Sequence, residues 1–230
     1  MSSDVDTPPV HPSGRVGPAW LGHGWIGPIV LAATLAFLAG AIGYVIAGSE
    51  TMTEPASEAD IGFLRDMADH HDQAVVMSIL ATENANDRTV RDFAREVIIF
   101  QRYELGIMDL LLDEMGSDRG DPERRAMTWM GMDSSVAEMD GMATEEQLEE
   151  LRTTTGLAAD ILFLELMIEH HRGGLHMAEE ASRTADNPRV RRLAEQIVAL
   201  QTGEIEEYQG VLKRLQAQQA AEAEASVSGG

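Results

Sequence analysis

Cysteine is absent from the 230-residue sequence, which excludes disulfides and thiolate metal sites outright. Aromatic residues are few, at 5%, and no alternating run of apolar and polar residues persists, so strand signals are almost missing. Basic residues are scarce too, 17 against 39 acidic ones. The resulting formal charge of −22 argues against nucleic acid or an anionic membrane surface as partner, because like charges repel across such an interface. No nucleophile elbow, phosphate loop or catalytic triad is recognisable, and a non-enzymatic role is expected. Methionine is plentiful instead, with 13 residues. A thioether is soft like a thiolate but cannot form a disulfide, so it remains a usable Cu(I) ligand in an oxidising compartment.

Residues 1–25 are rich in Pro, Gly and Ser without periodicity and read as a disordered lead-in. Residues 26–47, "IGPIVLAATLAFLAGAIGYVIA", carry no charge and are long enough to cross a hydrocarbon core of about 30 Å as a helix. An uncleaved transmembrane anchor is expected rather than a cleaved signal peptide, because the run is longer than a usual signal core and follows a long leader. Arg15 is the only basic residue before the span, whereas Glu50, Glu54 and Glu58 follow it. That asymmetry favours a single-pass plasma-membrane protein with its C-terminal domain outside the cytoplasm. Residues 48–59 form a polar linker, and residues 217–230 fade into low complexity, expected as a disordered tail.

The intervening chain is duplicated. Displaced by 100 positions without a gap, Asp60, Phe63, Leu64, Met67, His70, His71, Met77, Ala81, Val90, Ala94, Gln101 and Glu104 all meet identical residues. Each copy, residues 60–115 and 158–216, reads as a helical hairpin broken at "NAND" or "ADNP", with Pro188 placed for a first helical turn. Two hairpins predict an all-α fold, an antiparallel four-helix bundle behind one transmembrane helix.

At about 100° per residue, Met67, His70, His71, Ala74 and Met77 share one helical face with Phe63, the face the helix must bury. Met167, His170, His171 and Met177 repeat it. In the second helix of each hairpin, Gln101 and Glu104, or Gln201 and Glu204, interrupt an apolar stripe. A carboxylate there needs a partner, and the histidines across the hairpin are the candidates. A buried His–Glu hydrogen bond can also set helix register while methionine fills the core, a purely structural alternative. The joint occurrence of Met67, His70, His71, Met77 and Glu104 with Met167, His170, His171, Met177 and Glu204 favours a metal site. The di-iron pattern of bundle proteins needs Glu three residues before His, and Met67 and Met167 stand there. Imidazole with thioether suits copper, Cu(I) above all, with Cu(II) accepted through the histidines.

The connection, residues 116–157, carries Met127, Met130, Met132, Met139 and Met142 at irregular spacing, with Trp129 among them. Two expectations stand side by side: a flexible arm that captures copper ions, with Trp129 offering a π face, or a partly ordered loop whose methionines pad the bundle end. From Thr144, "TEEQLEEL" predicts a short capped helix. His176, opposite Met67 on the helix and matched by Val76, is expected to be structural, and Asp60 and Asp160 to be caps.

These residues, together with "MDGMATEEQLEEL", "FLELMIEHHRGGLHMAEEA" and "LAEQIVALQTGEIEEYQ", resemble the domain of unknown function 305 family over about residues 58–216. The resemblance implies a ferritin-like helical bundle, an exported or membrane-anchored bacterial protein, and, for some relatives, copper binding and tolerance. It carries the ligand role to His70, His71, Met67, Met77, His170, His171, Met167 and Met177. The chain departs from the pattern at Arg172-Gly173-Gly174, where a helical Gln-Ala pair is more usual. The expected function is therefore a membrane-anchored copper-binding protein in sequestration, tolerance or delivery. The alternatives are an accessory subunit of a membrane protein complex and, lacking its carboxylate set, a ferritin-type oxidase.

Overall fold

The computed structural model describes residues 56–228. The expected leader and membrane anchor, residues 1–25 and 26–47, lie outside them. Among the described residues no helix is long and apolar enough to cross a membrane.

The fold is all-α apart from one small ribbon. Helices α1 (Glu58–Asn84) and α2 (Arg88–Glu114) form the first hairpin, and α4 (Leu157–Thr184) and α5 (Pro188–Ser228) the second; the connection holds a short α3 (Glu145–Thr153). The ribbon pairs β1 (Arg125–Ala126) antiparallel with β2 (Ser134–Ser135).

Local chemistry sets each boundary. Ser57 and Asp60 form a capping box at the start of α1, and Thr144 and Gln147 form another on α3. Asp87 accepts from the Thr89 and Val90 amides at the start of α2. Helix α5 does not stop near residue 216, as the low-complexity reading expected, but continues to Ser228. The tail is rich in Ala, Gln and Glu, all strong helix formers, and meets no Gly or Pro until Gly229, so nothing ends the helix earlier.

The hairpins join through their first helices, α1 against α4, running antiparallel. Two exchanged carboxylates lock this pairing. Asp160, at the start of α4, accepts from the Asn86 and Asp87 amides in the first hairpin's turn. Asp60, at the start of α1, accepts from the Asn187 amide in the second hairpin's turn at 3.0 Å. Each thus caps the other repeat's second helix. In contrast, α2 and α5 barely meet, and the molecule is open along that side.

The core lies in two clusters, one containing Met67 and Met177, the other Met77 and Met167. The crossing of α1 and α4 at the histidines follows from that antiparallel pairing.

Candidate metal centre

His70, His71, His170 and His171 are all 0% exposed. They meet where α1 crosses α4, with the His70 and His170 ring centroids 3.8 Å apart and those of His170 and His171 6.3 Å apart. The sequence-predicted quartet is therefore one cluster, built from both repeats.

Each second helix supplies a carboxylate. His71 Nε2 lies 2.7 Å from Glu104 Oε2, and His171 Nε2 lies 2.9 Å from Glu204 Oε2. His70 Nε2 lies 3.1 Å from the Asp140 carbonyl. A carbonyl only accepts, so the His70 proton sits on Nε2. A carboxylate likewise accepts here, so His71 and His171 each donate from Nε2 as well. The Nδ1 atoms of these three rings are buried and without a hydrogen-bond partner, and neither nitrogen of His170 has one. Buried acceptors left without a donor are costly.

Burial, then the neighbouring His71 charge, holds His70 down to about 3. His170 lies well below its ordinary value, first through burial and then through His70, His171 and His71. Burial and the neighbouring rings thus disfavour charging His70 and His170.

Met67, Met77, Met167 and Met177 are fully buried, one pair in each of the two clusters described above. Among the described residues, however, no three His, Asp or Glu side chains already converge in a cage that could hold a metal ion. Glu104 and Glu204 face the far nitrogens of their histidines rather than the ring pair at the centre.

The connection is not a free arm. Met127 and Met139 are buried in the Met67–Met177 cluster, and Met130, Met132 and Met142 pack half-buried against it. Buried Asp66 anchors the segment by accepting from the Met127 amide at 2.7 Å and Trp129 Nε1 at 2.9 Å, with Arg124 paired at 2.7 Å. Burial pushes the Asp66 carboxyl up, against the lowering pull of those donors. Met127 takes the left-handed conformation, φ 62°, at this anchor. Trp129 sits edge-on to Phe63, 5.9 Å between ring centroids, and is a wedge rather than an open π face.

Further along, residues 139–143 cross the histidine cluster as a strap. Gln73 exchanges two hydrogen bonds with the Ala143 backbone, at 2.9 and 2.7 Å. His176 Nδ1 meets Asp140 Oδ2 at 2.7 Å, so this histidine is structural, as its position on the helix suggests. The glycines of Arg172-Gly173-Gly174 now have a reason. A Cβ on Gly173 would collide with the Asp140 carbonyl, and one on Gly174 would lie 2.5 Å from Gln201 Oε1. Helix α4 is unbroken through them. Asp66, Asp140 and Gly173 are the functional positions that sequence reasoning missed. The one available signal was the departure from the family pattern at Gly173, and the contact with the Asp140 carbonyl is its reason.

The model of the family described as "Domain of unknown function (DUF305)" matches residues 60–212. Among solved structures, a DUF305 protein of Streptomyces coelicolor is 37% identical, covering 68% of this chain and 93% of its own, with a TM-score of 0.63. A DUF305 fragment from Deinococcus radiodurans is 35% identical, covering 70% and 99%, with a TM-score of 0.61. CopM in its Cu(II)-bound form shares the fold at 22% identity, covering 67% and 96%, with a TM-score of 0.53. Among curated proteins none matches.

Proposed function

This chain belongs to the DUF305 family, and we propose that it is a non-catalytic, membrane-anchored, extracytoplasmic protein that binds copper as cargo, for sequestration, tolerance or delivery. The anchor in this reading is the uncharged stretch at residues 26–47. The four long helices are read as a ferritin-like bundle open along its α2/α5 side.

One observation carries the copper reading: four buried imidazoles whose Nδ1 atoms meet nothing, three of them held from the other side at Nε2. This is the arrangement by which outer partners fix the tautomer and aim a ring at a metal. The donor set fits, since imidazole and thioether are ligands for Cu(I), and the imidazoles alone accept Cu(II). Glu104, Glu204 and the Asp140 carbonyl orient the rings. In this reading His70, His71, His170 and His171 supply nitrogen, and the buried Met67, Met77, Met167 and Met177 on the same two helices are the candidate sulfur donors. The half-buried thioethers of Met130, Met132 and Met142 are the first ones an arriving ion meets. That solved relatives of this fold include CopM with Cu(I), Cu(II) and silver supports the same reading.

The absence of a finished three-ligand cage among the described residues favours one rival, an accessory subunit whose His–Glu contacts are architectural. A competition titration against a Cu(I) chelator under reducing conditions separates the two. The variant His70→Gln, His71→Gln, His170→Gln, His171→Gln is expected to lose Cu(I) affinity at least about tenfold, with its helical circular dichroism retained. Unchanged affinity would leave the architectural reading standing.

A further inference from the structure

The two broad faces of the molecule are treated differently. The connection covers the α1/α4 side, where its strap and methionines pack down. On the opposite side α2 and α5 stand apart, leaving an open groove of about 590 Å³ lined by Ile99, Phe100, Tyr103, Ile107, Leu193 and Leu200. Ile99 is 65% exposed, Phe100 52%, Tyr103 69%, Leu110 51% and Leu200 49%. Large apolar side chains clustered on one face, in a chain of net charge −22, need a cover.

We propose that this face binds a second copy of the chain, making a twofold dimer in which the α2 side of one copy lies over the α5 side of the other. Two features of the face fit it to itself. First, size is distributed unequally between its halves. Phe100, Tyr103 and Leu110 project from α2, whereas the matching positions of α5 are Leu200, Gly203 and Gly210, with Ala199 beside them. A Cβ at Gly203 or Gly210 would meet nothing within 4 Å. In an isologous pairing the bulky half of each copy faces the shallow half of the other, twice.

Second, the area is right for a reversible pair. Five side chains of the 150–250 Å² class, each half to two-thirds open, cover on the order of 500 Å² per copy, or about 1,000 Å² in all. That sits at the low end for specific complexes, well short of an obligate dimer. Glu104 lies in the wall of this groove and holds His71. A second copy would therefore cover the groove wall that holds His71. The dimer itself does not depend on copper.

Sedimentation velocity of the full-length chain in mild detergent tests this. The wild type is expected to form a dimer with a dissociation constant in the micromolar range. Tyr103→Glu and Gly203→Glu, both at exposed positions, should each weaken it at least about tenfold with helicity unchanged. Because the chain has no cysteine, the pair Tyr103→Cys and Gly203→Cys should give a covalent dimer on oxidation. A wild type that stays monomeric at about 100 µM, or dimers indifferent to both glutamates, would overturn the proposal. So would a monomeric chain that instead holds a different protein on this face.

Discussion

The two repeats carry the same paired histidines, flanking methionines and facing glutamates at matched positions, yet the structure surrounds them differently. His70 has a backbone carbonyl on Nε2, whereas His170 has no partner on either nitrogen. Gln73 reaches the strap through its side chain, whereas Gly173 meets it with bare backbone. Met67 and Met177 sit among the methionines of the connection, whereas Met77 and Met167 sit among Leu, Val and Phe residues. The difference has one cause. A single connection crosses a duplicated pair of hairpins once, so it cannot serve both halves alike. Duplication builds a symmetric ligand set, and the connection makes its two ends chemically distinct.

Acid should produce the largest effect. The His70 and His170 rings remain neutral in the folded chain far below the usual imidazole range, His70 down to about 3. Between about pH 6.5 and 3 the unfolded chain therefore binds protons that the folded metal-free chain does not, and stability falls as pH falls through that window. A loss on the order of a few kcal/mol is expected from chemical denaturation at stepped pH. His170→Gln should flatten that dependence visibly; an unaltered profile would mean that the ring is not buried as described.

The strap should come next. Gly173→Ala forces a side chain against the Asp140 carbonyl, which is backbone and cannot swing aside, and should cost about 3 kcal/mol in thermal or urea unfolding. Gln73→Ala, at the matching place in the other repeat, deletes two hydrogen bonds without a clash and should cost about 1–2 kcal/mol. Equal losses would show that the strap does not distinguish the repeats.

The carboxylates give the smallest contrast. The Glu104 side chain is 11% exposed and that of Glu204 25%, so Glu104→Ala should destabilise by about 2 kcal/mol and Glu204→Ala by about 1 kcal/mol. Reversal of that order would contradict the deeper setting of the first repeat's pair.

Much of this was legible in the sequence because periodicity and duplication act locally. The burial of His70 and His71 on the Phe63 face, the hairpin turns, the helix at Thr144 and the facing of histidine and glutamate all follow from helical spacing. What was not legible depends on contacts distant in sequence. Asp66 gathers the connection from some sixty residues away, and no periodic rule marks an anchor that is simply one more acid on a helix. Propensity alone disfavours Gly173 in a helix; the reason for it is a backbone that crosses over it. The connection's irregular methionines carried no spacing signal, and only their packing against Met67 and Met177 separates a padded roof from a loose arm. The end of α5 escaped for the opposite reason: low complexity resembles disorder, though its residues favour helix.

The central claim is that rings held at Nε2 keep Nδ1 for copper. Long-range proton–nitrogen correlation spectra of the imidazoles test it most directly, recorded on the metal-free protein and again after Cu(I) is added. The expected result is a proton on Nε2 and none on Nδ1 in His70, His71 and His171, with the Nδ1 resonances moving on Cu(I) addition. Protons found on Nδ1, or Nδ1 signals that ignore the metal, would contradict it.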